Sequence, residues 1–229
     1  MAPITTRRAP KAWAWSYSKL KNYEICPKRH NHVDLLRDVT EPESKQLAWG
    51  NTLHAALAKS LLENSPLPAG MTTYQPWVDR ILAGPGELLV EQKFAINDAF
   101  RPVEYFDRSA WYRGIADVLK ISGNVALAID WKSGKILEDS VQLALMAQCV
   151  FSHYPHVKKI RTEFIWLKED ATTREDFSAA DMIGLWKQLL PRVAAMKEAA
   201  EQASYPPTPN YLCARYCPVV ACPHHGRSG

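Results

Sequence analysis

Apolar and polar positions along the 229-residue chain change period several times, and each change predicts an element. Leu53, Leu57, Leu61 and Leu62 form one stripe at helical spacing, which predicts a helix from Gln46 to Glu63 with His54 inside it. Ser16 to Leu36 also reads as helical, capped by Ser16 or Ser18, and Pro27 divides it into two short helices. A third helix is expected from Thr72 to Leu82. Leu88 to Ile96 predicts a strand carrying Glu91 and Lys93. Ser140 to His153 reads as a helix, Ile160 to Leu167 as a strand, and Asp181 to Ala203 as a long amphipathic helix that Pro191 kinks or breaks. From Tyr205 onward the chain is rich in Pro and Cys and has no periodicity that builds a core. Something other than hydrophobic burial has to hold it.

The segment from Trp111 to Trp131 predicts a hairpin. Two apolar runs, Trp111–Ile121 and Val125–Trp131, flank Ser122-Gly123-Asn124, whose residue types tolerate positive φ in a tight turn. With Gly123-Asn124 as a two-residue loop, Ser122 pairs with Val125, and the same register sets Asp117 opposite Asp130. Directly opposed residues have Cβ atoms about 4.5–5.5 Å apart, and like charges so placed destabilise a bare sheet. A divalent cation between them resolves the conflict, and Mg²⁺ is commonly held by one or two carboxylates. Lys132, two residues beyond Asp130, projects from the same face. An ammonium there can orient water and offset charge on a phosphodiester. For any single Asp-x-Lys, a surface ion pair is the plainer account. Asp130 resists it, because it ends the apolar run Ala126-Leu127-Ala128-Ile129, and a buried carboxylate needs a partner or a metal.

Helices, a run of three strands, a crossing helix and a further strand give a mixed α/β layout with a small central sheet and at least one parallel pair. A hydrophobic content of 47% allows one substantial core. No apolar run reaches membrane-spanning length, and the N-terminus lacks the apolar segment of a signal peptide, so a cytoplasmic protein is expected. The formal charge of +4, from 28 basic and 24 acidic residues, permits nucleic-acid binding without indicating it. The expected organisation is one domain: a flexible basic segment over residues 1–15, a core over 16–204 and a cysteine-rich tail over 205–229.

Several separated features together resemble the PD-(D/E)xK nucleases, and within them the RecB-like exonucleases, which include AddB-type, CRISPR-associated and phage recombination nucleases. Ser16-Tyr17-Ser18-Lys19-Leu20 and Cys26-Pro27-Lys28-Arg29 look like the N-terminal segments of that family. His54 matches its helical histidine, Asp117 its first acidic residue, Asp130-x-Lys132 its (D/E)xK element, and Gln142 the glutamine of its Gln-x-x-x-Tyr motif. The tyrosine position of that motif is Met146 here. The resemblance runs from about Ser16 to His225. It implies a restriction-endonuclease-like core and metal-assisted phosphodiester hydrolysis. His54, Asp117, Asp130 and the carbonyl of Trp131 would hold Mg²⁺ or Mn²⁺, Lys132 would act on the attacking water, and Gln142 would contact substrate or that water. Glu91 is a candidate for the same acidic cluster and is equally accounted for as a surface strand residue.

Relatives with one cysteine before the catalytic core and three after it hold a [4Fe–4S] cluster. Cys26 with Cys213, Cys217 and Cys222 reproduces that arrangement and would pin the tail near the N-terminal helix. The spacing here is Cys-x3-Cys-x4-Cys, whereas the clustered relatives use Cys-x2-Cys-x5-Cys. Zn²⁺ on the same sulfurs, with His224 or His225 replacing one, and no metal at all are the alternatives. The function expected is a DNA exonuclease acting on linear or single-stranded ends in phage or bacterial recombination or DNA processing. A non-catalytic DNA-binding module, or a subunit active only in a complex such as CRISPR spacer processing, are the competing readings. The chain has no Gly-x-x-x-x-Gly-Lys-(Ser/Thr) phosphate loop, so ATP-driven unwinding would need a helicase partner. A homo-oligomer is compatible with the sequence.

Overall fold

The computed structural model describes residues 13–41, 43–137 and 139–227. Strand β3 (Tyr112–Ser122) turns into β4 (Val125–Lys132) through Gly123-Asn124, with Ser122 paired to Val125. Of the two loop residues only Gly123 has a positive φ, 58°, the conformation a residue without Cβ adopts at no steric cost. The expected register therefore holds, and the ladder runs to Val118–Ile129.

The described residues form a six-stranded sheet in the order β2-β1-β3-β4-β5-β6, where β1 is Glu87–Ile96, β2 Pro102–Val103, β5 Lys159–Trp166 and β6 Ala171–Ser178. Neighbours are antiparallel except β4 and β5, which are parallel because helix α5 (Ser140–His153, counting the N-terminal helices below) carries the chain back between them. Helices α1 (Tyr17–Ile25) and α2 (Pro27–His30) divide at Pro27 as expected, and α3 (Lys45–Glu63) and α4 (Gln75–Ala83) follow. Leu53, Leu57 and Leu61 of α3 and Val78 and Ile81 of α4 cover Val118, Ile129, Trp131 and Ile165 on one face of the sheet. The other face packs α1, α5 and α6 (Met182–Glu201) over Phe94, Ile96, Ala128 and Phe164. Residues Leu143 to Val150 of α5 are all buried, which explains why that helix lacks a polar face.

Three features depart from the sequence reading. Helix α6 runs unbroken through Pro191, since Trp186, Leu189, Val193 and Met196 on either side are all buried in the core. Burial of those side chains outweighs a proline penalty of about 3 kcal/mol. Strand β6 was not expected because its run Thr172-Thr173-Arg174-Glu175-Asp176 is polar; it is held by the ladder to β5 and by a bidentate Arg161–Asp176 pair at 2.7 Å. The segment expected to be flexible, residues 1–15, lies outside the described residues up to position 12. Trp15 is 1% exposed and its backbone bonds to Trp111 and Arg113, so the core begins before Ser16.

One irregularity positions the site. In β1, Leu89 faces the α5 side of the sheet, but so do Phe94 and Ile96; in β3, Tyr112 and Ala116 face that side, but so do Leu119 and Ile121. Alternation therefore shifts by one residue within both strands. Their register is unchanged, and it places the shift at Glu91 and Asp117, the pair missing from the ladder between Val90–Val118 and Gln92–Ala116. Glu91 takes φ 53° there, a left-handed conformation rare for a residue with a Cβ.

Candidate active site

Carrying the two registers across the sheet sets Glu91, Asp117 and Asp130 in one row over β1, β3 and β4. The row lies toward the carboxyl end of β4, a common ligand position in sheets with parallel pairs. Because the ladder opens at Asp117, the Trp131 N–H turns to its side chain and donates to Oδ2 at 2.7 Å. His54, presented by α3, brings Nδ1 to 3.5 Å from the same oxygen. Asp130 is 8% exposed. Its Oδ2 lies 2.7 Å from Lys132 Nζ, and its Oδ1 accepts from Gln142 Nε2 at 2.9 Å. Gln142 Oε1 in turn accepts from Lys132 Nζ at 3.1 Å. The ring of Phe164, paired with Asp130 in the parallel ladder, lies 4.6 Å from the Lys132 ammonium and braces it from β5.

The electrostatics follow from this crowding. Burial pushes the Asp130 carboxyl up to about 6, with Asp117 adding to the rise and Lys132 opposing it. Burial and the charge of Asp117 also raise Glu91. Burial alone would lower His54, but the Asp117 carboxylate outweighs it and holds the imidazole above its ordinary value. With the charge of Asp117 contributing to the rise of both Asp130 and Glu91, the row of three carboxylates is short of positive charge despite Lys132. Hard oxygen donors with one imidazole suit Mg²⁺ or Mn²⁺. As the side chains stand, Asp130 is directed to Lys132 and Gln142, and among the described residues no three His, Cys, Asp or Glu groups close around a common point. The donor chemistry fits a divalent cation; the ligands would have to close on it.

The structure thus brings together His54, Asp117, Asp130, Lys132 and Gln142, and adds Glu91, which lines one hollow with His54, Asp117 and Ser133. The backbone group of Trp131 set against Asp117 is its N–H, and its indole is buried beneath α3. Sequence reasoning left Glu91 undecided; the shift in apolar alternation from Leu89 to Phe94 was the available signal. Met146 is buried and lines the groove beside Lys132 and Gln142. A cavity of about 860 Å³ at the opposite end of the sheet is a weaker candidate, since Glu163 and Asp176 pair with Arg80, at 3.0 Å, and Arg161, and Asp181 is bonded to Ser178.

The tail does return to the N-terminal helices: Asn210 Nδ2 donates to the Ile25 carbonyl at 3.1 Å, and Thr208 N–H donates to Cys26 Sγ at 3.4 Å. Cys217 is raised by burial, with Cys213 and Cys26 near enough to contribute. Cys213 Sγ accepts from Asn210 N–H and Cys26 Sγ from Thr208 N–H, and among the described residues the four thiols, as the side chains stand, do not close around a common point. The arrangement supports neither a [4Fe–4S] cluster nor zinc. Backbone and side-chain hydrogen bonds, with buried Val219 and Cys213, hold the tail.

Among the described residues no helix is long and apolar enough to cross a membrane. No curated protein matches the sequence. A solved structure from Eubacterium rectale described as a "putative exonuclease" shares 12% identity over 93% of this chain and 91% of its own, with a TM-score of 0.54. A second, described as SSO0001, covers 95% of this chain and 90% of its own at 15% identity and a TM-score of 0.41. At these identities the first shares the fold, and no argument is taken from the second. The model of the PD-(D/E)XK nuclease superfamily matches residues 14–223, which include every candidate residue described above, and the chain belongs to that superfamily.

Proposed function

We propose that this chain is a divalent-cation-dependent DNA nuclease of the RecB-like type, acting as an exonuclease on linear or single-stranded ends in phage or bacterial DNA processing. The observation that carries this reading is the Asp130–Lys132–Gln142 triangle beside Asp117 and His54. A degenerate binding module would have no reason to keep those charges together. His54, Asp117 and Asp130, with the Trp131 carbonyl, would hold Mg²⁺ or Mn²⁺. When bound, the cation supplies an activated water and neutralises charge developing on the phosphodiester. Lys132 is fixed by Asp130, Gln142 and the Phe164 ring, so its ammonium meets the reacting phosphate already oriented. Gln142 holds that ammonium in place and satisfies one oxygen of Asp130.

End-labelled linear DNA and closed circular DNA, each incubated with Mg²⁺ or Mn²⁺, test the reading. Wild type degrades linear DNA only, and Lys132→Ala or chelator abolishes it. Cutting of circles would make the enzyme an endonuclease. Absence of hydrolysis with both cations would overturn the nuclease assignment.

A further inference from the structure

Beside the Lys132–Gln142 pair a groove of about 440 Å³ runs between α1, β3 and α5. Tyr17 and Lys21 stand on its α1 side, and Tyr105 and Arg113 on the other, with Lys93 and Arg113 each 5.7 Å from the Tyr105 ring. Aromatic faces interleaved with cations are the furniture of single-strand channels. Among the described residues, one carboxylate occupies this basic groove. Asp139 Oδ1 accepts from Tyr17 OH at 2.5 Å, and its Oδ2 accepts from Lys21 Nζ at 2.7 Å.

The placement of Asp139 is unusual for its position in the chain. It is the residue immediately before α5, where an aspartate normally caps the helix, yet its side chain makes no capping bond. It reaches instead to residues 122 and 118 positions earlier in the chain. Among the described residues of the link that carries it, Gly134 to Leu137 are exposed, Ile136 at 48% and Leu137 at 68%. An anion with two oxygens is therefore held on a hydroxyl and an ammonium, in the groove that also holds Lys132, at the end of a stretch whose described residues are largely exposed.

We propose that Tyr17 and Lys21 form a binding site for a phosphate of the substrate strand next to the one cleaved, and that Asp139 is a built-in stand-in for it, displaced when the strand enters. This rests on the nuclease reading and deepens it. A phosphodiester offers two anionic oxygens, as the carboxylate does. Displacement leaves α5 free to take Asp139 back as its cap, and the cationic walls of the groove pair with the strand.

The test is binding of a labelled single-stranded oligonucleotide by the full chain in chelator, followed by fluorescence anisotropy, with thermal unfolding as a check on each variant. Tyr17→Phe and Lys21→Met weaken binding, Lys21→Met by about 10-fold, and Lys21→Met lowers the salt slope by about one. Asp139→Asn strengthens it by about 3–10-fold, because the competing anion is gone. That gain vanishes when Asp139→Asn is combined with Lys21→Met, since the two act at one point. A merely structural tether predicts one sign for all three variants, so weakened or unchanged binding by Asp139→Asn overturns the proposal while leaving the nuclease reading intact. Absence of binding by wild type, together with absence of hydrolysis in Mg²⁺ or Mn²⁺, would remove both.

Discussion

Gln142 Oε1 accepts a hydrogen bond from Lys132 Nζ at 3.1 Å, which makes an amide on α5 the guide for an ammonium on β4. The same amide donates to Asp130 at 2.9 Å, so one side chain from the opposite layer fixes both members of the Asp130–Lys132 pair. Positioning of this kind is separable from chemistry.

Lys132→Ala is expected to lower kcat by about 10²–10³-fold, the usual cost of losing one preorganised donor to a developing charge. Gln142→Leu keeps the ammonium but frees it, and is expected to cost about 10–100-fold. Steady-state hydrolysis of a labelled strand measures both. Full activity in Gln142→Leu would show that Lys132 needs no guide.

Asp130 links stability to pH. Its carboxyl is raised by burial to about 6, against about 3.9 in an unfolded chain. Between these values the folded protein binds more protons than the unfolded one, so stability of the cation-free protein falls as pH rises from about 4 to 6, by up to about 3 kcal/mol. Asp130→Asn flattens that fall and raises Tm at pH 7 while abolishing hydrolysis. Mn²⁺ restores wild-type stability at pH 7 and does little at pH 4. A Tm for wild type that climbs across this interval, relative to Asp130→Asn, would contradict the assignment.

Glu91 combines a charge with a left-handed backbone at φ 53°. Glu91→Gln removes the charge and keeps the Cβ; Glu91→Gly removes both. Each is expected to weaken Mn²⁺ binding by about 10–100-fold in calorimetric titration. The glycine variant should melt about 2–4 °C above the glutamine variant, the equivalent of about 1 kcal/mol of relieved strain in a chain of this size. Equal melting temperatures would mean that the conformation costs nothing.

Asn210 ties the tail to α1, donating to the Ile25 carbonyl and accepting from Leu212 N–H at 2.9 Å. Asn210→Ala is expected to lose about 1–2 kcal/mol locally, or about 5–30-fold in the population of the opened tail. Limited proteolysis near Arg215 reads this directly. Cleavage at the wild-type rate would show that the buried side chains of Cys213 and Val219 suffice without it.

The hairpin was legible because Gly123-Asn124 fixes a turn, and the turn fixes which residues face one another. His54 and Gln142 were legible only through resemblance, since nothing in helical periodicity separates a histidine aimed at Asp117 from one packed in a core. Strand β6 was not legible, because Thr172 to Asp176 carries no apolar alternation and depends on Arg161 and Trp166 of its neighbour for partners. The four cysteines could be read only by count and spacing, which say nothing of how the thiols are set; Cys26 and Cys213 each accept a backbone N–H where the tail meets the N-terminal helices. For Glu91 the one trace in the sequence is the shift of apolar alternation by one residue, which occurs in two strands at once and leaves the register untouched.

Strand β6 closes one edge of the sheet, and that edge is where a further strand would add. Its central residues are Arg174, Glu175 and Asp176. Antiparallel docking of two copies centred on Arg174 or on Asp176 sets that residue against its own twin, a like-charge opposition that a ladder tolerates poorly. The polarity that concealed this strand in the sequence thus guards the protein against edge-to-edge aggregation.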